Sequence, residues 1–387
     1  MDSNGQEFSG WTRTVLGTII VPFTEKVFGD HNYEVLTSSR NGIQRQSEHF
    51  AGKQRHDTDG YNIIPRGYCT YRNRSDDGLF TFNMNNIVDE GIVSKFYPVF
   101  TFQNANSTFM MEYLNGSPRV RAKLSVLAVG TSQVVLSFET LKETSFYLPT
   151  FEEQNRIAAL LSTLNERIEK QRLLIEHLKK YKRGAINAFF NQNNSSRTTC
   201  SLGEIGTIIR GLSYDKFDVV SDNSATVVLR SNNIQSGFLD YNNDLQFVKK
   251  MPTSDQLLKK GDIVICMANG SASLVGKAAC FDGNDRRIIT VGAFCGIYRC
   301  EKEIIEYYFQ SDKYTYALRK IQQGGDGAIG NLKPSNIESL EVSLPDEAQQ
   351  QIAVKFFKTL DKKIYASEKI LSMLMKIKAG LLHSLFV

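Results

Sequence analysis

The chain repeats itself at long range. Residues 148–186, LPTFEEQNRIAALLSTLNERIEKQRLLIEHLKKYKRGAI, are echoed by residues 344–382, LPDEAQQQIAVKFFKTLDKKIYASEKILSMLMKIKAGLL. Each copy opens on Leu-Pro, passes through a Gln-x-x-Ile-Ala element and runs into a long apolar-periodic stretch ending in Lys-x-Gly. With Ile157 set against Ile352 but Leu164 against Leu360, a one-residue slip is expected between the copies. A repeat of this length constrains architecture before any local motif is weighed, because each copy must be the same structural unit. The order it dictates is globule, long helix, globule, long helix.

In the first copy, Leu161, Leu164, Ile168, Gln171, Ile175, Leu178 and Lys182 alternate spacings of three and four residues. Adding 196 gives Phe357, Leu360, Ile364, Ser367, Leu371, Leu374 and Lys378, a seam with its polar interruptions in the same places. Sustained 3-4 alternation is the mark of a coiled-coil stripe; the plainer alternative is an amphipathic helix lying on its own domain. The first helix leads from one globule to the next and the second ends the chain, so a pair of them is antiparallel. Such a helix of about 38 residues spans roughly 57 Å at 1.5 Å per residue, on the order of one and a half turns of B-DNA. Gln171 and Ser367 are expected to set the register at some cost in stability. Lys182 and Lys378 are expected to snorkel at the seam's end or leave it.

Charge follows the same division. Residues 152–190 hold eight Lys/Arg against five Asp/Glu, and residues 346–387 seven against four, while both globules are near neutral. The excess of +5 therefore lies on the helices, and binding of nucleic acid by the globules must rest on local clusters. No apolar run approaches the ~18 residues of a membrane span, and the start MDSNGQEFSGW lacks the pattern of a secretory signal. A cytoplasmic location without membrane partners is expected. The six cysteines form no C-x-x-C pair and no zinc spacing, and are read as reduced and mostly buried.

The globules read as α+β. Each opens on a Leu-Gly step, Leu16-Gly17 and Leu202-Gly203, and closes on the Leu-Pro before its helix. Strands are expected at 61–64, 67–71, 98–102, 226–229, 262–266 and 292–299, and a helix over 303–321 with Tyr307, Tyr308, Tyr314, Leu318 and Ile321 broadly on one face. GDGAIG at 325–330 matches a dinucleotide fingerprint by letter, but a helix precedes it and Pro334 follows. GSASLVGKA at 270–278 resembles a P-loop, yet is one residue too long and has Ala where Ser or Thr should hold magnesium. Both are read as loops. The five histidines form no metal pair, no G-x-S-x-G elbow occurs, and no Pro-Pro exists for a methyltransferase tetrapeptide. No catalysis by this chain is expected.

Taken together, LPTFEEQNRIAALLSTLNERI, its degenerate copy at 344–364, and the two dissimilar globules resemble the DNA specificity subunit of type I restriction-modification enzymes. In the second globule, LKKGDIVICMANGSASLVGKAA, VGAF and QQGGDGAIGNLKPSNIESLEVSLP are similar to that family's target recognition domains; in the first, NYEVLTSSRNGI, GIVSKFYPVF and LSFETLKETSFYLP resemble another version. The resemblance implies recognition domains at 1–147 and 191–343, each reading half of a split DNA sequence, and helical repeats at 148–190 and 344–387 that form an antiparallel coiled coil and set the gap. It further implies partners: double-stranded DNA, two modification subunits clasping the helices, and restriction subunits. S-adenosylmethionine and ATP with magnesium are expected on those partners, with no cofactor on this chain. Ala348 standing against Glu153 is the other departure from the pattern besides the slip.

Residue chemistry nominates the DNA contacts. Residues 40–74 gather Arg40, Arg45, Lys53, Arg55, Arg66, Arg72 and Arg74 against three acids, with Asn41, Gln44 and Gln46 nearby; arginine forks suit guanine and amides suit adenine. In the second globule the candidates are Arg210, Arg230, Ser231, Asn232, Asn233, Asn269, Ser271, Lys277, Gln322, Gln323, Asn331 and Lys333. A solvated surface would carry the same residues. A protein-binding scaffold remains the alternative class, separable by salt-dependent DNA binding; a fused enzyme with its own catalysis is opposed by the missing methyltransferase motif.

Overall fold

A computed structural model describes residues 10–49, 57–192, 196–235, 237–323 and 331–386. The chain divides into two compact units, Met1–Arg172 with Lys369–Val387, and Leu173–Glu368. The repeats are helices of equal length, Phe151–Phe190 and Glu347–Phe386, and each unit takes a part of both.

In the first unit, one four-stranded antiparallel sheet has the order Ile20–Phe23, Val99–Phe102, Cys69–Tyr71, Phe82–Met84. A second sheet has the order Gly42–Arg45, Glu34–Ser39, Glu90–Val93, Asn62–Pro65, its central pair parallel. Buried Tyr71, Phe82 and Phe100 from the first sheet pack with Phe109, Leu114 and Phe146 and with Leu161 of the first long helix.

The second unit repeats this plan with other residues. Its antiparallel sheet has the order Gly206–Arg210, Cys295–Cys300, Ile263–Cys266, Ala278–Cys280, and its other sheet Gln246–Val248, Thr226–Leu229, Ile289–Val291, the last two parallel. The expected 303–321 helix is two helices, Ile305–Tyr308 and Asp312–Gln323. Ser311 divides them: its hydroxyl donates to the Tyr308 carbonyl at 2.6 Å and accepts from the Tyr314 amide at 3.2 Å, capping the second helix. Tyr307, Tyr308, Tyr314 and Leu318 are buried, as the expected face requires.

The roots of the units match bond for bond. Thr12–Val15 pairs Ser145–Leu148 with Thr12 opposite Leu148, and Thr198–Ser201 pairs Glu341–Leu344 with Thr198 opposite Leu344. The Leu16 amide donates to Thr144 and the Leu202 amide to Leu340, each at 2.8 Å. A Cβ on Gly17 would stand 3.1 Å from the Lys142 carbonyl oxygen, and one on Gly203 3.1 Å from Glu338 Cβ. That shared close approach accounts for the repeated Leu-Gly.

The slip is not present in the helices. Gln154 and Gln350 are both buried, and each donates its side-chain amide to the preceding proline carbonyl, Pro149 at 2.9 Å and Pro345 at 2.7 Å. This fixes one helical phase from Leu-Pro onward. Ala353 and Val354 are buried where Ile157 and Ala158 are, while Ile352 is 70% exposed. Ala348 consequently corresponds to Glu152 rather than Glu153.

Along the seam, Leu161, Leu164, Ile168, Ile175, Phe357, Leu360, Ile364 and Ser367 are buried. The lysines neither snorkel nor leave. In the second unit the Lys182 ammonium donates to Asp361 and, at 2.8 Å, to Gln310, 5.4 Å from the Tyr307 ring centre. In the first, Lys378 lies 3.2 Å from a Glu112 carboxylate oxygen, and Asn165 donates to the same carboxylate at 2.7 Å. A half-buried ammonium needs a fixed acceptor, and each unit supplies a carboxylate. Within the second unit, Lys179 pairs with Glu368 at 2.7 Å besides the Lys182–Asp361 contact, so the two helix segments there run in opposite directions.

The six cysteines are free thiols, Cys69, Cys266 and Cys295 buried and the others half-buried. Among the described residues no helix is long and apolar enough to cross a membrane.

Candidate nucleic-acid interface

In the first unit, the turn joining Glu34–Ser39 to Gly42–Arg45 carries Arg40, which reaches Asp77 at 2.6 Å. Hydrogen bonds from Ser75 and then Arg40 hold the Asp77 carboxyl down at about 2. Arg45 is paired with Glu34 and lies 3.8 Å from Glu48, and its guanidinium is held protonated more firmly by the Glu34 hydrogen bond. Gln44 accepts from Ser39 at 3.3 Å and lies 2.9 Å from the His49 ring. Arg66 is paired with Asp89. These cations are locally neutralised. Arg72 and Arg74 are exposed and, among the described residues, form no ion pair; the Arg74 guanidinium instead lies 5.3 Å from the ring centre of Phe96. Lys53 and Arg55 lie outside the described residues.

In the second unit, loops from four strands meet at one edge. Asn269, just beyond Ile263–Cys266, donates to Ser231, just beyond Thr226–Leu229, at 2.8 Å. Ala268 bridges Asn331, and the Met267 and Ala268 amides both donate to the Phe294 carbonyl, at 2.8 and 3.0 Å. Arg210 stands opposite Gly296, and the Lys277 carbonyl accepts from the Cys266 amide. Arg210, Arg230, Asn232, Asn269, Lys277 and Asn331 thus share an edge, with exposed Ser271 on the adjoining loop. Gln322 is one turn past Leu318, which abuts Gly276. Exposed Lys333 follows Asn331 by two residues. The GSASLVGKA loop holds a single 3-10 turn, Ala272–Leu274, and leads into a strand, not into the helix a phosphate loop requires. Gly325–Gly330 lies outside the described residues, as does the Gln323 side chain.

One nomination fails. Asn233 is 1% exposed and spends its amide on the Arg230 amide and the Asp240 and Asn243 carbonyls. It shapes the loop and presents nothing to a ligand. Its neighbours are held but outward: Arg230 donates to Asp244 at 2.9 Å, and Asn232 donates to the same carboxylate. Removing Asp244 would therefore release both side chains. Residue chemistry also passed over Phe96 and Phe294, because an isolated phenylalanine beside a strand reads as core; both are exposed, at 52% and 72%. Among the described residues no group of three or more His, Cys, Asp or Glu is placed to hold a metal ion.

Known proteins share the sequence pattern and the fold. The model of the type I restriction modification DNA specificity domain matches twice, over residues 29–177 and 195–375. The chain is similar to the StySPI specificity subunit of Salmonella potsdam, 33% identical over 172 residues, and to the EcoKI specificity subunit of Escherichia coli K12, 33% over 163. The matched stretches are 42% and 40% of this chain, and span 35% and 34% of those relatives. In fold it is similar to the type I S subunit from M. genitalium, with a TM-score of 0.61, 18% identity and coverage of 97% and 96% of the two chains. A chain solved in work on complex assembly and conformational transition of the type I system gives a TM-score of 0.56 at 15% identity, covering 97% of each.

Proposed function

Because the chain belongs to the type I restriction-modification DNA specificity family, we propose that it is the non-catalytic subunit that reads a split DNA target for such a complex. Residues 1–147 read one half of the target and residues 191–343 the other. The helical repeats at 148–190 and 344–387 pair as an antiparallel coiled coil whose length sets the gap, and they recruit two modification subunits and the restriction subunits. S-adenosylmethionine and ATP with magnesium act on those partners, in the cytoplasm. The observation that carries this reading is the duplication: the same four-stranded antiparallel sheet order occurs twice, on roots that match bond for bond, beneath loops that differ. Two readers of one design with different side chains suit two unlike half-sites.

Co-expression with candidate modification subunits, followed by mapping of methylated adenines in host DNA, tests it. A split motif with a constant gap is expected. A stable complex with an active partner that leaves no new methylation overturns the reading and favours a protein-binding scaffold.

A further inference from the structure

The same structural position in both units carries an exposed phenylalanine. In the first unit, Glu90–Val93 leaves its parallel partner and crosses to the other sheet through 94–98, with Phe96 in the turn. In the second, Ile289–Val291 does the same through 292–294, ending on Phe294.

Both turns are built, not loose. Asn62, buried at 8%, donates its side-chain amide to the carbonyls on either side of Phe96, Lys95 at 3.4 Å and Tyr97 at 2.9 Å. The Phe294 turn closes through the Cys295 amide on the Gly292 carbonyl at 2.8 Å, and the Phe294 carbonyl takes the amides of Met267 and Ala268. An apolar ring held out on a fixed turn gains nothing in water and costs no rearrangement when it is covered.

The surroundings are cationic. Arg74 and Lys95 lie 5.3 and 5.7 Å from the Phe96 ring centre. Phe294 belongs to the edge that holds Arg210, Arg230, Asn232 and Asn269. A ring among cations suits a duplex, whose phosphates take the cations while its base stack takes the ring.

Resting on the reading that each unit contacts one half-site, we propose that Phe96 and Phe294 are the wedges of the two recognition domains. Each enters a base step of its half-site and partly unstacks it, while the neighbouring Arg and Lys hold the flanking phosphates.

The test uses the full chain in complex with its modification subunits, on the target found by methylation mapping. 2-Aminopurine is placed at positions other than the methylated adenine. Wild type should brighten the reporter at one step in each half. F96A should abolish the first-half signal only, F294A the second only, each weakening binding about tenfold and together about a hundredfold, while F96L keeps most of the affinity. Unchanged reporter signals and affinity in both alanine variants overturn the wedge. Wild-type complex that fails to select any DNA overturns the DNA reading instead. Both sites are exposed; unaltered Trp11 fluorescence confirms that F96A folds, and unaltered far-UV circular dichroism with retained assembly on the modification subunits confirms that F294A does.

Discussion

Replacing Gln154 by methionine asks whether the root of the first unit is held by hydrogen bonds or by packing alone. Gln154 is 3% exposed; its Nε2 donates to the Pro149 carbonyl at 2.9 Å, and its Oε1 accepts from the Asn106 amide at 3.0 Å. Methionine keeps the length and volume, so both bonds vanish without a large cavity. A buried group stripped of its partner costs about 1–3 kcal/mol. Here two are stripped, and Asn106 is only half-buried, which puts the expected loss at about 2–4 kcal/mol. On a urea slope of about 3 kcal/mol/M, the midpoint falls by about 1 M. Trp11, the only tryptophan, has its ring centre 6.4 and 5.9 Å from those of Phe109 and Tyr113, on the helix that Asn106 caps. Its fluorescence during urea titration therefore follows this unit. The matched Gln350→Met change removes the 2.7 Å bond to Pro345 in the other unit and should leave the Trp11 transition within about 0.5 kcal/mol of wild type. A Gln154→Met chain whose Trp11 midpoint stays at the wild-type value would refute the reasoning.

Arg72→Ala and Arg74→Ala should each weaken DNA binding by the assembled complex, by about 1–3 kcal/mol where a base is read, or uniformly with a salt slope lower by about 1 where a phosphate is held; anisotropy titrations at several salt concentrations decide, and no change in either removes both from the interface. Arg45→Ala should do less, since its charge is already engaged by Glu34. Inserting one heptad into both long helices should lengthen the gap in the methylated motif by about three base pairs, from about 10.5 Å of added helix at 3.4 Å per base pair, with both halves unchanged; an unchanged gap sinks the ruler. Burial pushes the Cys69 and Cys295 thiols up to about 12, so at pH 8 only about one in ten thousand is thiolate; mass spectrometry after iodoacetamide should find both unlabelled until the chain is unfolded, and rapid native labelling contradicts their burial.

The repeat was legible because it is written in residues whose roles are local. Leu-Pro, the buried glutamine and the apolar seam each act within a turn or two of their own position, so the helices could be placed from letters alone. The slip misled for the same reason. Matching Ile157 to Ile352 weighs letters, whereas burial follows phase, and phase is set by Gln350 on Pro345 five residues back. Strand existence was also readable, since runs such as 226–229 and 263–266 are buried throughout. What each candidate cation does was not. Arg40 meets Asp77 and Arg230 meets Asp244 across gaps in sequence that only the folded sheets close. Asn233 and Asn232 are adjacent and chemically alike, yet one is buried on backbone groups and the other faces outward, a difference that a single turn of 3-10 helix decides.

That division separates what the loops expose from what holds the root. The contacts that repeat between the units are the root-strand pairings, the Leu16 and Leu202 amide bonds, the Gln154 and Gln350 side-chain bonds and the close approaches at Gly17 and Gly203, and none of these lies on the segments at 40–45, 72–77, 230–233 or 267–271. The loops in turn are closed by contacts among themselves, Arg40 with Asp77 in one unit and Asn269 with Ser231 in the other. Substitutions in a loop therefore alter the groups it exposes without disturbing the root, and sites so separated contribute almost independently to stability. A chain built this way can exchange one loop for another while its helices keep their phase. The residues that cannot be exchanged so freely are those serving both levels, such as Asn62, which belongs to a core strand and also holds the turn of Phe96.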